Sequence, residues 1–348
     1  MVEVADESQA VDATVLHRAA RIEDAVHARI ERRLSGRGWK PTLTPYVGYG
    51  APGWVRVMCR LLLKRPEPHP RRRDATVRGW RHFVTAAVTE AEVVVEVGSH
   101  RHVLRTDRGG YIDAVVRSDL PAGWGEIKLS ADDATPVTAP VQVIGPDVMF
   151  GIISDVDDTV IVTSLPRPFV AAWNTFVLDE HARASVPGMA VLYERLARAH
   201  PGAPVIYLST GAWNTAPALT RFLQRHLFPQ GTLLLTDWGP TPDGWFRNGG
   251  AHKRGQLERL AKEFPHVRWL LIGDDGQLDP QLYSEFVQSH PHNVAAVAIR
   301  QLSVTEQMLA GGLPGMGESG PPASPVPWVC APGGAALSEQ LEAVGLLH

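Results

Sequence analysis

Between residues 149 and 300 apolar runs alternate with amphipathic stretches, and no other feature of the chain restricts its fold as much. The apolar runs lie at 149–154, 204–210, 231–237, 268–275 and 293–300. Between them stand "GMAVLYERLARAH", "TAPALTRFLQRHL", "KRGQLERLAKEFP" and "DPQLYSEFVQSHP", whose apolar residues recur at the three-and-four spacing of a helix. Strands apolar along their whole length, joined by crossover helices, predict a parallel α/β sheet with helices on both faces.

The chain ahead of this region has another texture. Residues 41–147 carry short Val- and Ile-rich runs, such as "WVRVMCRLLL" and "AEVVVEV", separated by Gly, Pro and Asp. They predict a small antiparallel, sandwich-like β domain. "TDRGGY" at 106–111 reads as a hairpin-type turn between two of these runs, and "YVGYGAPGW" at 46–54 as a packing loop first and a binding feature second. Residues 9–35 read as an amphipathic helix, with Val15, Ile22, Val26, Ile30 and Leu34 at helical spacing. Such a helix either docks on a neighbouring domain or lies on a membrane surface. The expected division is 1–40 for the leading helix, 41–147 for the β-rich domain and 148–348 for the α/β domain. A Gly/Pro-rich segment at 311–335 is expected to run along the surface before a short final helix.

Composition removes several function classes. The net charge of −3 argues against nucleic acid as a partner, and the Arg-rich stretch at 61–81 reads first as a solvated loop. Two unpaired cysteines, Cys59 and Cys330, argue against a disulfide framework or a thiolate zinc site, and the fourteen histidines show no HExxH spacing. The acidic N-terminus does not read as a signal peptide, and no apolar stretch approaches the roughly 20 residues of a membrane span. The expectation is a cytoplasmic protein whose contact with membranes, if its substrate is a lipid, is peripheral.

In an open parallel sheet, ligands bind off the carboxyl ends of the strands. The first apolar run ends in Asp155, Asp157 and Thr159, and the second in Ser209, Thr210 and Gly211. The fourth ends in Gly273, Asp274 and Asp275, with Asp279 one turn further, and Lys253 stands on the helix ahead of it. Carboxylates, a hydroxyl and an amine thus converge on one sheet edge. Three aspartates within four residues repel one another, and a divalent cation among them would offset that repulsion. His252 reads first as an exposed neighbour of Lys253, with contact to substrate as the alternative. Trp213, Trp238 and Trp245 are candidates for an apolar entrance, with core packing the alternative for each.

"DVDDT" after a strand, "LST" after a strand, a lysine and then "GDDGQLD" resemble the four motifs of haloacid-dehalogenase-like (HAD-like) phosphotransferases, in order, over residues 148–300. "LSTGAWNTAPAL" and "GDDGQLDPQLY" narrow the resemblance to the lipin-like catalytic domain of the actin-patch type of magnesium-dependent phosphatidate phosphatase. Family members often carry Ser-Pro-Trp after the second-motif serine, where this chain reads Thr210-Gly211-Ala212-Trp213. The resemblance implies a HAD-like sheet and an Mg²⁺-dependent phosphomonoesterase. Asp155 would be nucleophile and metal ligand, and Asp157 the acid/base and a carbonyl ligand. Ser209 and Lys253 would hold the phosphoryl group, Thr159, Thr210 and Gly211 would border the substrate, and Asp274 would be a metal ligand. Asp275 and Asp279 are alternatives for the outer metal shell, and Asp158 a bystander. Residues 160–203 leave no room for a large cap domain, which suits a bulky or surface-held substrate. Phosphatidate is the substrate expected, with a soluble phosphomonoester, or a silent membrane or protein adaptor, as the alternatives.

Overall fold

The structure is a computed structural model that describes residues 33, 36, 38–65, 86–162, 184–236, 249–276, 278–303, 306 and 324–348. Apart from residue 33, the helix expected at 9–35 lies outside the described residues. So do the Arg-rich run beyond residue 65, most of the Gly/Pro-rich segment, Trp238 and Trp245.

The N-terminal strands are β1 (Lys40–Pro45), β2 (Gly48–Ala51), β3 (Gly53–Lys64), β4 (Ala86–Ala87), β5 (Glu92–Val97), β6 (His100–Arg105), β7 (Tyr111–Ser118), β8 (Gly123–Ala131) and β9 (Val137–Val143). They form one nine-stranded sheet ordered β1-β3-β2-β9-β8-β5-β6, with β4 and β7 on β3. Side chains alternate as a strand requires: Val93, Val95 and Val97 are buried, while Glu92 and Glu96 face water.

Two expectations need correction here. The sheet is mixed, not purely antiparallel, because β2 and β9 run parallel. Six strands lie between these two in the chain, so no hairpin dictates their relative direction. The turn at 106–111 is also not a hairpin, since β6 pairs with β5 whereas β7 pairs with β3. Its chemistry is that of a turn all the same. The Asp107 carboxylate accepts from the backbone N–H groups of Gly109 and Tyr111 at 2.8 Å each, which redirects the chain from one partner strand to another.

The second unit runs β10 (Phe150–Asp155), α1 (Met189–Ala199), β11 (Val205–Ala212), α2 (Ala216–Arg225), β12 (Thr232–Thr236), α3 (Gly249–Glu263), β13 (Arg268–Asp274), α4 (Asp279–Ser289), β14 (Val294–Arg300), β15 (Trp328–Ala331) and α5 (Gly334–Ala343). Its six strands are all parallel, in the order β12-β11-β10-β13-β14-β15. The chain builds outward from β10 to β11 and β12, then crosses back to β13 on the other side. β10 is therefore the topological switch point, where such sheets open a crevice. The sixth strand corrects the surface path expected for 311–335 over its described end, Trp328–Ala331. Val329 and Ala331 point into the core, and β15 pairs with β14.

The two units share packing. Tyr46, Tyr49, Met58 and Ile144 belong to the same apolar cluster as Ile152, Leu208 and Trp269. Glu263, at the end of α3, accepts from Tyr49 Oη and Arg56 Nη2 at 2.6 Å each. The stretch at 46–54 is not a loop, since β2 and the start of β3 take up most of it, but it packs, as read first.

Candidate active site

β10 carries Asp155 into the crevice with 2% of its surface exposed. The next residues form a tight turn. Asp158 adopts a left-handed φ of 56°, its N–H donates to Ile161 O (2.8 Å), and Val160 N–H donates back to Val156 O (3.0 Å). The turn brings Asp157 round to β11, where Ser209 Oγ donates to Asp157 Oδ2 at 3.1 Å. Gly211 N–H donates to Ser209 Oγ at 2.9 Å, which fixes that hydroxyl. Thr236 Oγ1 donates to Thr210 O at 2.8 Å and ties the loop to β12.

Lys253, on α3, is 6% exposed, and its ammonium donates to Asp155 Oδ1 at 2.7 Å and to Asp279 Oδ1 at 2.6 Å. Asp274, at the end of β13, accepts from Gly276 N–H at 2.8 Å. One carboxylate oxygen from each of Asp155, Asp274 and Asp279 lies within 4.8 Å of the other two. Asp279 reaches this position because Gly273 has no side chain; a Cβ there would sit 2.6 Å from Asp279 Oδ2.

The structure thus gathers Asp155, Asp157, Ser209, Lys253, Asp274 and Asp279 around one point. Thr159 lies just behind them, fully buried, its hydroxyl without a hydrogen-bond partner among the described residues. Thr210 is exposed at the crevice edge and Gly211 is buried beside Ser209. Asp275 goes elsewhere: its carboxylate accepts from Leu302 N–H at 2.8 Å. Of the two outer-shell alternatives, only Asp279 joins the cluster.

Three buried carboxylates face one ammonium, and the protonation of Asp155 and Asp274 reflects that imbalance. Burial raises the Asp155 carboxyl well above its ordinary value; Lys253 pulls it back, while Asp279 and Asp157 push it higher. Asp274 is raised by burial and then by Asp279 and Asp155. Burial alone would lower the Lys253 ammonium, but Asp155 and Asp279 outweigh burial and raise it. Hard oxygen donors in this number suit Mg²⁺. Asp279 Oδ2, buried without a hydrogen-bond partner among the described residues, has a lone pair to offer it.

Sequence reasoning missed Arg300. At the end of β14 and 4% exposed, it donates from Nη1 to Asp158 O and from Nη2 to Glu306, at 2.6 Å each. The guanidinium clamps the carbonyl of the left-handed residue and so sets the turn between Asp155 and Thr159. An arginine closing an apolar strand gives no signal of this. Arg300→Met should cost about 1–3 kcal/mol for the lost charged bonds in urea unfolding and lower kcat more than it raises KM. Arg300→Lys keeps the charge without the fork and should recover only part of either loss.

Residues 150–301 match the family described as "Phosphatidate phosphatase APP1, catalytic domain". Over this stretch the chain is similar to the APP1-type catalytic domain. The chain is 24% identical over 171 residues to phosphatidate phosphatase APP1 of Saccharomyces cerevisiae, covering 48% of this chain and 28% of that protein. It is also 24% identical over 152 residues to an uncharacterized protein of Schizosaccharomyces pombe, covering 43% of this chain and 25% of that one. The chain therefore spans about a quarter of the length of these curated relatives. A carbohydrate acetylesterase from Xanthomonas citri superposes with a TM-score of 0.26 and 11% identity over 78% of this chain and 73% of that one, a likeness too slight to assign a fold.

Proposed function

We propose that the protein is an Mg²⁺-dependent phosphatidate phosphatase with a HAD-like catalytic sheet, releasing phosphate and diacylglycerol through a phosphorylated Asp155. What carries this assignment is the buried group of Asp155, Asp274 and Asp279 around Lys253 at the switch point of an APP1-type domain. Three carboxylates on one ammonium are poor structural packing but a good cradle for a dication and a phosphoryl group.

In the first step an Asp155 carboxylate oxygen attacks phosphorus, and the bond from phosphorus to the glycerol oxygen breaks. Asp157 gives its proton to the leaving alkoxide. In the second step Asp157 takes a proton from water, the water oxygen attacks phosphorus, and Asp155 leaves with its electron pair. Ser209, already hydrogen-bonded to Asp157, turns its hydroxyl to a phosphoryl oxygen, and Lys253 neutralises charge on Asp155 and the phosphoryl group. Asp155, Asp274, Asp279 and the carbonyl of Asp157 would hold Mg²⁺, whose charge would keep Asp155 ionised despite its burial. Thr210 and Gly211 border the substrate. On this reading the enzyme is cytoplasmic and meets its lipid at the membrane surface. Among the described residues no helix is long and apolar enough to cross a bilayer.

The test is phosphate release from phosphatidate vesicles, lysophosphatidate and glycerol 3-phosphate, each with Mg²⁺ and with a chelator. Phosphatidate should be preferred, and the chelator should reduce turnover to background. Preference for the soluble ester would remove the lipid assignment, and turnover that persists in chelator would remove the metal.

A further inference from the structure

A cleft of about 310 Å³ lies between the N-terminal sheet and α3, within the ~300–1,000 Å³ typical of small-molecule sites. We propose that it holds the acylated glycerol of the substrate, so that the N-terminal sheet supplies one wall of a leaving-group pocket. This rests on the phosphatidate phosphatase reading above.

Two of the lining residues are close in the chain to the reacting groups. Trp213 follows Ser209 by four positions at the end of β11, and His252 immediately precedes Lys253 on α3. From His252 the cleft follows α3 past Gln256 to Arg259, a spacing of four and then three that keeps all three on one helix face. Seven residues of helix extend about 10 Å. That distance suits glycerol and its ester carbonyls beyond a phosphate held at Lys253, and it exceeds what a bare phosphate needs.

The walls combine two chemistries. Tyr46 from the sheet and Trp213 from the catalytic domain lie with ring centroids 4.5 Å apart, a continuous aromatic surface for the first methylenes of a chain. The polar wall is built on Arg259, whose Nη1 makes a 3.4 Å contact with Asp113 Oδ2. Its Nε and Nη2 are buried with no hydrogen-bond partner among the described residues, and so is Gln256 Oε1. A carbonyl oxygen brought against this wall gives the guanidinium the acceptor it lacks. Charge selects for a neutral group: Arg105 and Arg259 are matched by Asp107 and Asp113 around the cleft, so a second anion gains nothing there. Ester carbonyls on a short apolar chain meet all three conditions.

Binding to the Asp155→Asn protein with Mg²⁺ present tests the assignment without turnover. By calorimetry, monomeric dioctanoyl phosphatidate should bind at least roughly tenfold more tightly than glycerol 3-phosphate, the worth of one hydrogen bond to a charged donor. Ala114→Phe, which narrows the cleft from the sheet side, and Arg259→Gln, which removes the donor, should each cut that preference roughly tenfold. In the parent enzyme the same two changes should lower the ratio of kcat/KM for phosphatidate over glycerol 3-phosphate by a similar factor. Equal affinities for the two ligands, or a preference that survives both changes, overturns the assignment. The phosphatase reading fails on a different result, the absence of phosphate release from phosphatidate with Mg²⁺, and the binding comparison decides the cleft either way.

Discussion

Asp155→Asn should reduce phosphate release from every phosphomonoester by on the order of 10⁴-fold or more, the scale of losing a nucleophile, without lowering the melting temperature. The two halves of that result have one cause. Asp155 is buried at the switch point, where its charge is disfavoured by desolvation and by Asp279 and Asp157. The neutral amide fills the same volume without that charge, and Lys253 keeps its 2.6 Å bond to Asp279. A site whose role was structural would answer in the opposite way, losing stability and keeping whatever activity it had. Steady-state phosphate release and a thermal melt on the same preparation separate the two cases, and turnover close to that of the parent would sink the mechanism.

Lys253→Met should impair both properties. It removes the ammonium that bonds Asp155 and Asp279 and leaves both carboxylates facing Asp274 in a dry site. Breaking a buried pair from one side costs about 3–5 kcal/mol, read here as a lower urea midpoint. Turnover should fall about 10²–10³-fold, as when one charge-stabilising donor is lost. Mg²⁺ should restore part of the stability, because added positive charge replaces the missing ammonium, but not the rate. A variant as stable as the parent would show that the three carboxylates are protonated or apart, and the cluster would lose its claim to a cation.

Much of the catalytic unit was legible because its strands are buried on both faces. All seven residues of β14 are buried, and a strand of that kind is written in sequence as an unbroken apolar run. Asp155, Ser209 and Asp274 were legible because position at a strand end is a local property. What could not be read were choices made by distant partners. Asp107 shaped its turn as its side chain dictates, yet which strand β7 would join depended on β3, some fifty residues earlier. β15 is four residues long among prolines and becomes a strand only through the open edge of β14. Asp275 and Asp279 looked equivalent, and the close approach at Gly273 is what separates them. Arg300 and the Arg259 wall of the cleft are charged residues doing buried work, which composition and spacing do not reveal.

α3 links two requirements that sequence similarity keeps apart. Its first turns present Lys253 to the aspartates, and its last residue is gripped by Tyr49 and Arg56 of the N-terminal sheet. Residues 150–301, the stretch that matches the family, therefore stop short of the cooperative unit on both sides. Cutting the chain at 150 would strip Tyr46, Tyr49, Met58 and Ile144 from the shared core and leave the far end of the helix without its anchor. Cutting at 301 would strip β15 from the outer edge of β14 and remove α5, which packs on α1. The Lys253 ammonium is aimed from a residue ten positions away, by a sheet that holds the rod carrying it.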